Sequence, residues 1–207
     1  MDIFQVIKRV VTEPTAFFRN VGKGKEHLRF AFGYFALLSL VQTLLGLLVG
    51  ILLLPAFRFW AETVMPMLGS VYGPLGTFSV GWIMGNAVFT YILGLGLSFL
   101  FAGLLHLWIL IFRGKNSYVK TYELGAYAGT PAMLLGWIPF FSFIGIIWYL
   151  ILLIIGTQEV HGISRTKAIL MYVIPVAVIF LLALLAMIFF FLAFGSVLGS
   201  MMGGLSY

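Results

Sequence analysis

The chain has 207 residues, of which 12 are Lys or Arg, 6 are Asp or Glu and 62% are apolar. Soluble domains carry about 25% charged residues; this chain carries 9% and could not hide its apolar surface from water. That balance excludes a disordered chain, the absence of cysteine excludes a disulfide scaffold or a thiolate metal site, and together they point to an integral membrane protein.

Asp2 to Glu13 reads DIFQVIKRVVTE. At about 100° per residue, Ile3, Phe4, Val6, Ile7, Val10 and Val11 share one face, and Gln5, Lys8, Arg9 and Thr12 share the other. The pattern predicts an amphipathic helix lying at the membrane interface. Lys8, Arg9 and Arg19 are the expected lipid-headgroup contacts. Pro14 ends this helix or starts the short segment that carries Phe17 and Phe18.

Four stretches lack Asp, Glu, Lys and Arg: Phe30 to Phe57, Thr63 to Phe112, Leu124 to Gln158 and Ala168 to Tyr207. A crossing helix needs roughly 20 apolar residues, so the longer runs must divide. Met65 to Gly76, punctuated by Pro and Gly, reads as a loop and leaves a second span over Val80 to Phe112. Pro139 to Ser142 splits the third run into helices over Val119 to Pro139 and Phe143 to Gln158. These two either both cross or form a re-entrant hairpin; each version returns the chain to the side it left. A fifth span covers Ala168 to Phe194, with Pro175 inside it. Small residues four apart at Gly46/Gly50, Gly81/Gly85 and Gly125/Gly129 permit close helix contact.

The expected fold is therefore all-α: a polytopic bundle of five transmembrane helices over 30–194. It follows a cytoplasmic amphipathic and basic segment, 1–29, and precedes an external Gly-containing tail, 195–207. On this division 11 of the 12 Lys and Arg fall on one side, and only Arg58 on the other. The positive-inside rule makes the N-terminus cytoplasmic and the C-terminus external. The pI of 9.7 is then a topology signal rather than a nucleic-acid footprint.

From His106 to Pro175 the order of features is specific. A His late in span 2 precedes the basic turn Arg113-Gly114-Lys115. An aromatic-rich entry to span 3 follows, with Tyr127 and Pro131, and Ile138-Pro139 at its end. Gly156-Thr157-Gln158-Glu159-Val160-His161-Gly162 then precedes the last span. This stretch resembles the Yip family, the Ypt/Rab-interacting membrane proteins, in its prokaryotic branch. The resemblance implies five spans, a cytoplasmic N-terminus, an external C-terminus and residence in a prokaryotic cell membrane. Eukaryotic members act in vesicle traffic and contact Rab GTPases. Their long cytoplasmic N-terminal domain has no counterpart here, and the Tyr72-Gly73-Pro74 echo of their Tyr-Gly-Pro element falls after span 1. The Rab role does not carry over.

His106, Glu123, Glu159 and His161 share cytoplasmic depth on three different helix ends. Two His and two carboxylates are a donor set for zinc or a proton relay, although no motif such as H-E-x-x-H supports a metal. Each also has a plain structural account. Glu123 is a carboxylate at a helix N-terminus. His106, about 10 Å inside its span, is a hydrogen-bonded helix contact, and Glu159 and His161 belong to a solvated turn. The expectation is that at least His106 and Glu123 lie close together, with no metal or other cofactor. Pro131 removes the intrahelical hydrogen bond to Tyr127 and should bend span 3. No nucleophile motif stands out, since Gly96-Leu97-Ser98-Phe99 lacks the second Gly of an intramembrane serine protease. The reading is a non-enzymatic membrane-organising or trafficking-like adaptor that binds lipids, a protein partner or a second copy, with no nucleic acid. The alternative is a small transporter, channel or lipid-moving protein with a polar path near His106 and Glu123. Its sign would be a wet route through Gln42, Asn86 and His106.

Overall fold

The structure, a computed structural model, describes residues 2–64 and 79–203. Its elements are α1 (Ile3–Thr12), α2 (Pro14–Lys23), α3 (Leu28–Val64), α4 (Val80–Ile111), α5 (Tyr118–Ala128), α6 (Thr130–Leu135), α7 (Phe141–His161) and α8 (Arg165–Gly203). The loop expected over Met65 to Gly76, with Tyr72-Gly73-Pro74, lies outside the described residues.

Among the described residues four helices are long and apolar enough to cross a membrane, over Leu28–Phe59, Val80–Ile111, Phe141–His161 and Arg165–Leu192. The span expected over Val119 to Pro139 is instead two helices of 11 and 6 residues, each too short to cross. The break has a local cause. Pro131 has no N–H, so the Tyr127 carbonyl loses its intrahelical donor. The Thr130 hydroxyl donates to that carbonyl instead, at 2.6 Å. Pro131 then sits in the first turn of α6, where its missing N–H costs nothing.

The α5–α6 pair runs down the side of α3. Ser117 meets Glu26, Tyr34 Oη and Thr130 Oγ1 are 2.6 Å apart, and Gly136 abuts Gln42. From Glu26 to Gln42 the path is about 24 Å at 1.5 Å per residue. α7 returns antiparallel, and its Gly145 lies so close to α6 that a Cβ there would stand 2.9 Å from the Pro131 carbonyl oxygen. Before α7 the chain turns at Phe140, which takes a positive φ of 69° and is 91% exposed. Gly162 ends α7 in the left-handed region that glycine adopts without strain.

The apolar stripe of α1 meets protein along part of its length. α1 packs on α2, α5 and α6, and Val6 and Val10 are fully buried there. The apolar stripe has found a protein surface to cover, while Phe4 stays exposed. The segment 1–29 thus packs within the first of two compact units, Met1–Arg165.

The second unit, Thr166–Tyr207, is built on α8. This helix continues to Gly203, through the stretch expected to form a tail from residue 195. Its large apolar side chains from Val173 to Leu192 are exposed. A helix that is apolar all round is at home in lipid.

Candidate functional site

At the end of the first unit where α3 begins, α1 and α2 form a collar. Pro14 opens α2 and places Phe17 and Phe18 on its inner face, where both are buried. Four rings stack edge to face in series: Phe18 on Phe17 at 5.4 Å, Phe17 on Tyr127 at 5.3 Å, and Tyr127 on Tyr34 at 5.3 Å. This ties α2, α5 and α3 together with a geometry that ring quadrupoles favour. Gly22 brings α2 against the end of α7, since a Cβ there would lie 2.9 Å from the Glu159 carbonyl oxygen.

The four residues singled out in the sequence separate into three arrangements. Glu123 is buried and pairs with Lys120 of its own helix at 2.8 Å. The Lys120 ammonium also donates to the Lys25 carbonyl at 2.9 Å, and the His27 backbone N–H donates to the second carboxylate oxygen of Glu123. A buried pair recovers its desolvation cost only when such extra hydrogen bonds are present. Here they come from the backbone that leads into α3, so the pair pins the collar to α5.

Glu159 faces the other way. Arg19 donates to it from Nε at 2.9 Å and from Nη2 at 3.3 Å. This fork holds the exposed Arg19 guanidinium above its ordinary pKa, through the hydrogen bond first and the carboxylate's charge second. Half-exposed pairs of this kind contribute little stability. Arg19, expected at the lipid headgroups, is therefore engaged by protein.

His106 and His161 do come together, through a residue the sequence reading overlooked. The Thr121 hydroxyl lies 2.8 Å from His106 Nδ1 and 3.1 Å from His161 Nε2. Thr121 and His161 are buried. The hydroxyl has one proton to give, to an imidazole or to the Ser117 carbonyl 3.4 Å away, and accepts from whichever ring nitrogens carry a hydrogen. His161 Nδ1 is buried with no partner among the described residues. Nothing but helical register could have flagged Thr121: it follows Lys120 and precedes Glu123 by two, so it points to the opposite side of α5. Among the described residues no three His, Cys, Asp or Glu side chains gather as a metal would require.

Beside the Glu123 pair a cavity of about 350 Å³ opens at the collar. Arg9, Asn20, Lys25 and His27 line it, over Phe17 and Tyr127. Lys8 is exposed on α1, outside the lining. Cationic side chains thus stand over an aromatic floor, and the one carboxylate present, Glu123, is already neutralised by Lys120.

A family model of the Yip1 domain matches residues 8–187, from within α1 to within α8. The chain belongs to the Yip1 domain family. Comparison with curated proteins finds no match, and neither does comparison with solved structures. With its long apolar helices, this Yip1 domain protein is an integral membrane protein. The match begins inside α1 and takes in all of α2, so most of the collar lies within the Yip1 domain.

Proposed function

We propose that this Yip1 domain protein is a non-enzymatic membrane organiser or adaptor whose collar holds anionic lipid headgroups at the cytoplasmic face. The observation that carries the reading is the cavity lined by Arg9, Lys25, His27 and Asn20. Neither Arg9 nor Lys25 has an ion-pair partner among the described residues. In this reading the N-terminus is cytoplasmic, the C-terminus is external, and the broken α5–α6 pair serves as the third of five passes. The 11-to-1 distribution of basic residues supports that orientation. A protein partner or a second copy would dock on the same collar. The transporter reading has less support, because Thr121 and His161 are buried and Glu123 is held by Lys120.

The test is native mass spectrometry of the full chain released from bilayers containing phosphatidylglycerol and phosphatidylcholine. Wild type should retain phosphatidylglycerol preferentially. Arg9→Gln with Lys25→Gln should lose that preference, at about 1 kcal/mol per charge, or roughly tenfold or more in affinity for the pair. Lys23→Gln, outside the cavity, should keep it. Equal retention by the double variant would refute the headgroup role.

A further inference from the structure

Two further cavities lie away from the collar, within the membrane-spanning helices. One, of about 450 Å³, opens between α3, α4 and the end of α6; the other, of about 480 Å³, lies further along α4 against α5 and α7. They share Phe35 and Gly94 as walls and so form one crevice beside α4. No atom lies within 4 Å of where a Cβ would stand on Gly94 or Gly96, which leaves that side of α4 open.

The two halves differ in chemistry. The first is lined by Ser39, Gln42, Thr43, Asn86 and Thr90, with Trp137 at its edge. The second is mostly apolar, with Leu97, Phe101, Leu105 and Leu153. Neither half contains a charged side chain. The hydroxyls of the polar half are spent on backbone carbonyls: Ser39 donates to Phe35 at 2.7 Å, Thr43 to Ser39 at 2.8 Å, Thr90 to Asn86 at 2.7 Å and, across to α3, Tyr91 to Ala36 at 3.2 Å. The side-chain carboxamides of Gln42 and Asn86 make no hydrogen bond among the described residues. Each offers two donors and an acceptor, and a carboxamide that faces hydrocarbon finds no partner there. An occupant that hydrogen-bonds removes that cost.

We propose that the crevice binds a lipid with an uncharged, hydrogen-bonding head and an acyl tail, diacylglycerol being the simplest of the class. The hydroxyl and ester groups meet Gln42 and Asn86, and the chain lies along Leu97, Phe101 and Leu105. A phosphate or ammonium head is disfavoured, because it would shed its hydration with no counter-charge to receive it. The site is separate from the collar cavity and does not depend on it.

The experiment is photolabelling of the full chain in nanodiscs with a diazirine-bearing diacylglycerol, in parallel with a phosphatidic acid carrying the same chains. Diacylglycerol should label residues 82–105 saturably and be displaced by unlabelled diacylglycerol but not by phosphatidic acid. Gln42→Leu with Asn86→Leu should lower labelling about tenfold, the equivalent of two net hydrogen bonds. Gly94→Leu, which leaves both carboxamides in place and fills the shared wall, should block labelling in a chain whose folding does not rest on the double change. Equal labelling by phosphatidic acid, or labelling unaffected by both variants, would overturn the proposal. So would efficient disulfide dimerisation through Ala87→Cys, a lining position with no proposed contact to the lipid, that excludes the probe, since a second copy would then be the occupant.

Discussion

Thr121 joins two imidazoles from different helices, and Lys120 joins a carboxylate to the backbone of the collar. These neighbours on α5 give residue-scale predictions of opposite character. Thr121→Val removes a buried hydroxyl and leaves both rings without a partner, so it should lower unfolding stability by about 1–3 kcal/mol. Thr121→Ser should restore most of it, read as the thermal midpoint in detergent. Added zinc should not move the wild-type midpoint. A rise that His106→Ala abolishes would show instead that a metal binds by mass action. For the ion pair, Lys120→Met or Glu123→Leu alone strands a buried charge and should cost roughly 3–5 kcal/mol. The double variant should lose less than the sum of the two. Strict additivity in a double-mutant cycle would mean that the pair does not couple.

At the scale of elements, the contacts that matter are those of short helices on long ones. α1 and α2 seat on α5, α6 and α7, and the fit depends on two buried valines and on Gly22. Val6→Asp with Val10→Asp places carboxylates where no partner waits. We expect a lower thermal midpoint and earlier proteolysis of the collar. A midpoint that stays put while α1 comes free would make α1 a lipid anchor after all. Gly22→Val should separate α2 from α7 and weaken the Arg19–Glu159 contact, because even a Cβ there meets backbone. The glycine pairs read from the sequence as packing sites are not where the helices press hardest. Gly85 and Gly125 meet nothing within 4 Å, whereas Gly22 and Gly145, which belong to no such pair, do.

For the whole molecule the open property is sidedness, and a chain without cysteine is well suited to measuring it. Single cysteines at Ser117 and Lys167 should react with an impermeant thiol reagent from the cytoplasmic side, and one at Arg58 from the outside. Labelling of Ser117→Cys from outside would invert the orientation proposed above. The polar route sought through Gln42, Asn86 and His106 is divided in the structure. The first two share a crevice that ends near Leu105, while His106 is tied to Thr121. Among the described residues no hydrogen bond joins His106 to Gln42 or Asn86.

What this chain's sequence determined by itself is everything set by composition and local pattern. Charge-free runs of about 20 residues or more must leave water, so the positions of α3, α4, α7 and α8 were legible to within a few residues at most of their ends. The 3.6-residue stripe of α1 was legible too, as was a bend near Pro131, because a missing N–H acts on its own helix; that the bend is a full break into two short helices was not. Only the tertiary structure decided what each of these faces meets. An apolar stripe buries equally well against lipid or protein, and packing chose protein for Val6 and Val10. Shared depth cannot say which neighbour a side chain turns to. Glu123 went to Lys120, Glu159 to Arg19, and the two histidines to Thr121, because a charge takes the nearest counter-charge and an imidazole the nearest hydroxyl, and only the three-dimensional fold sets those distances.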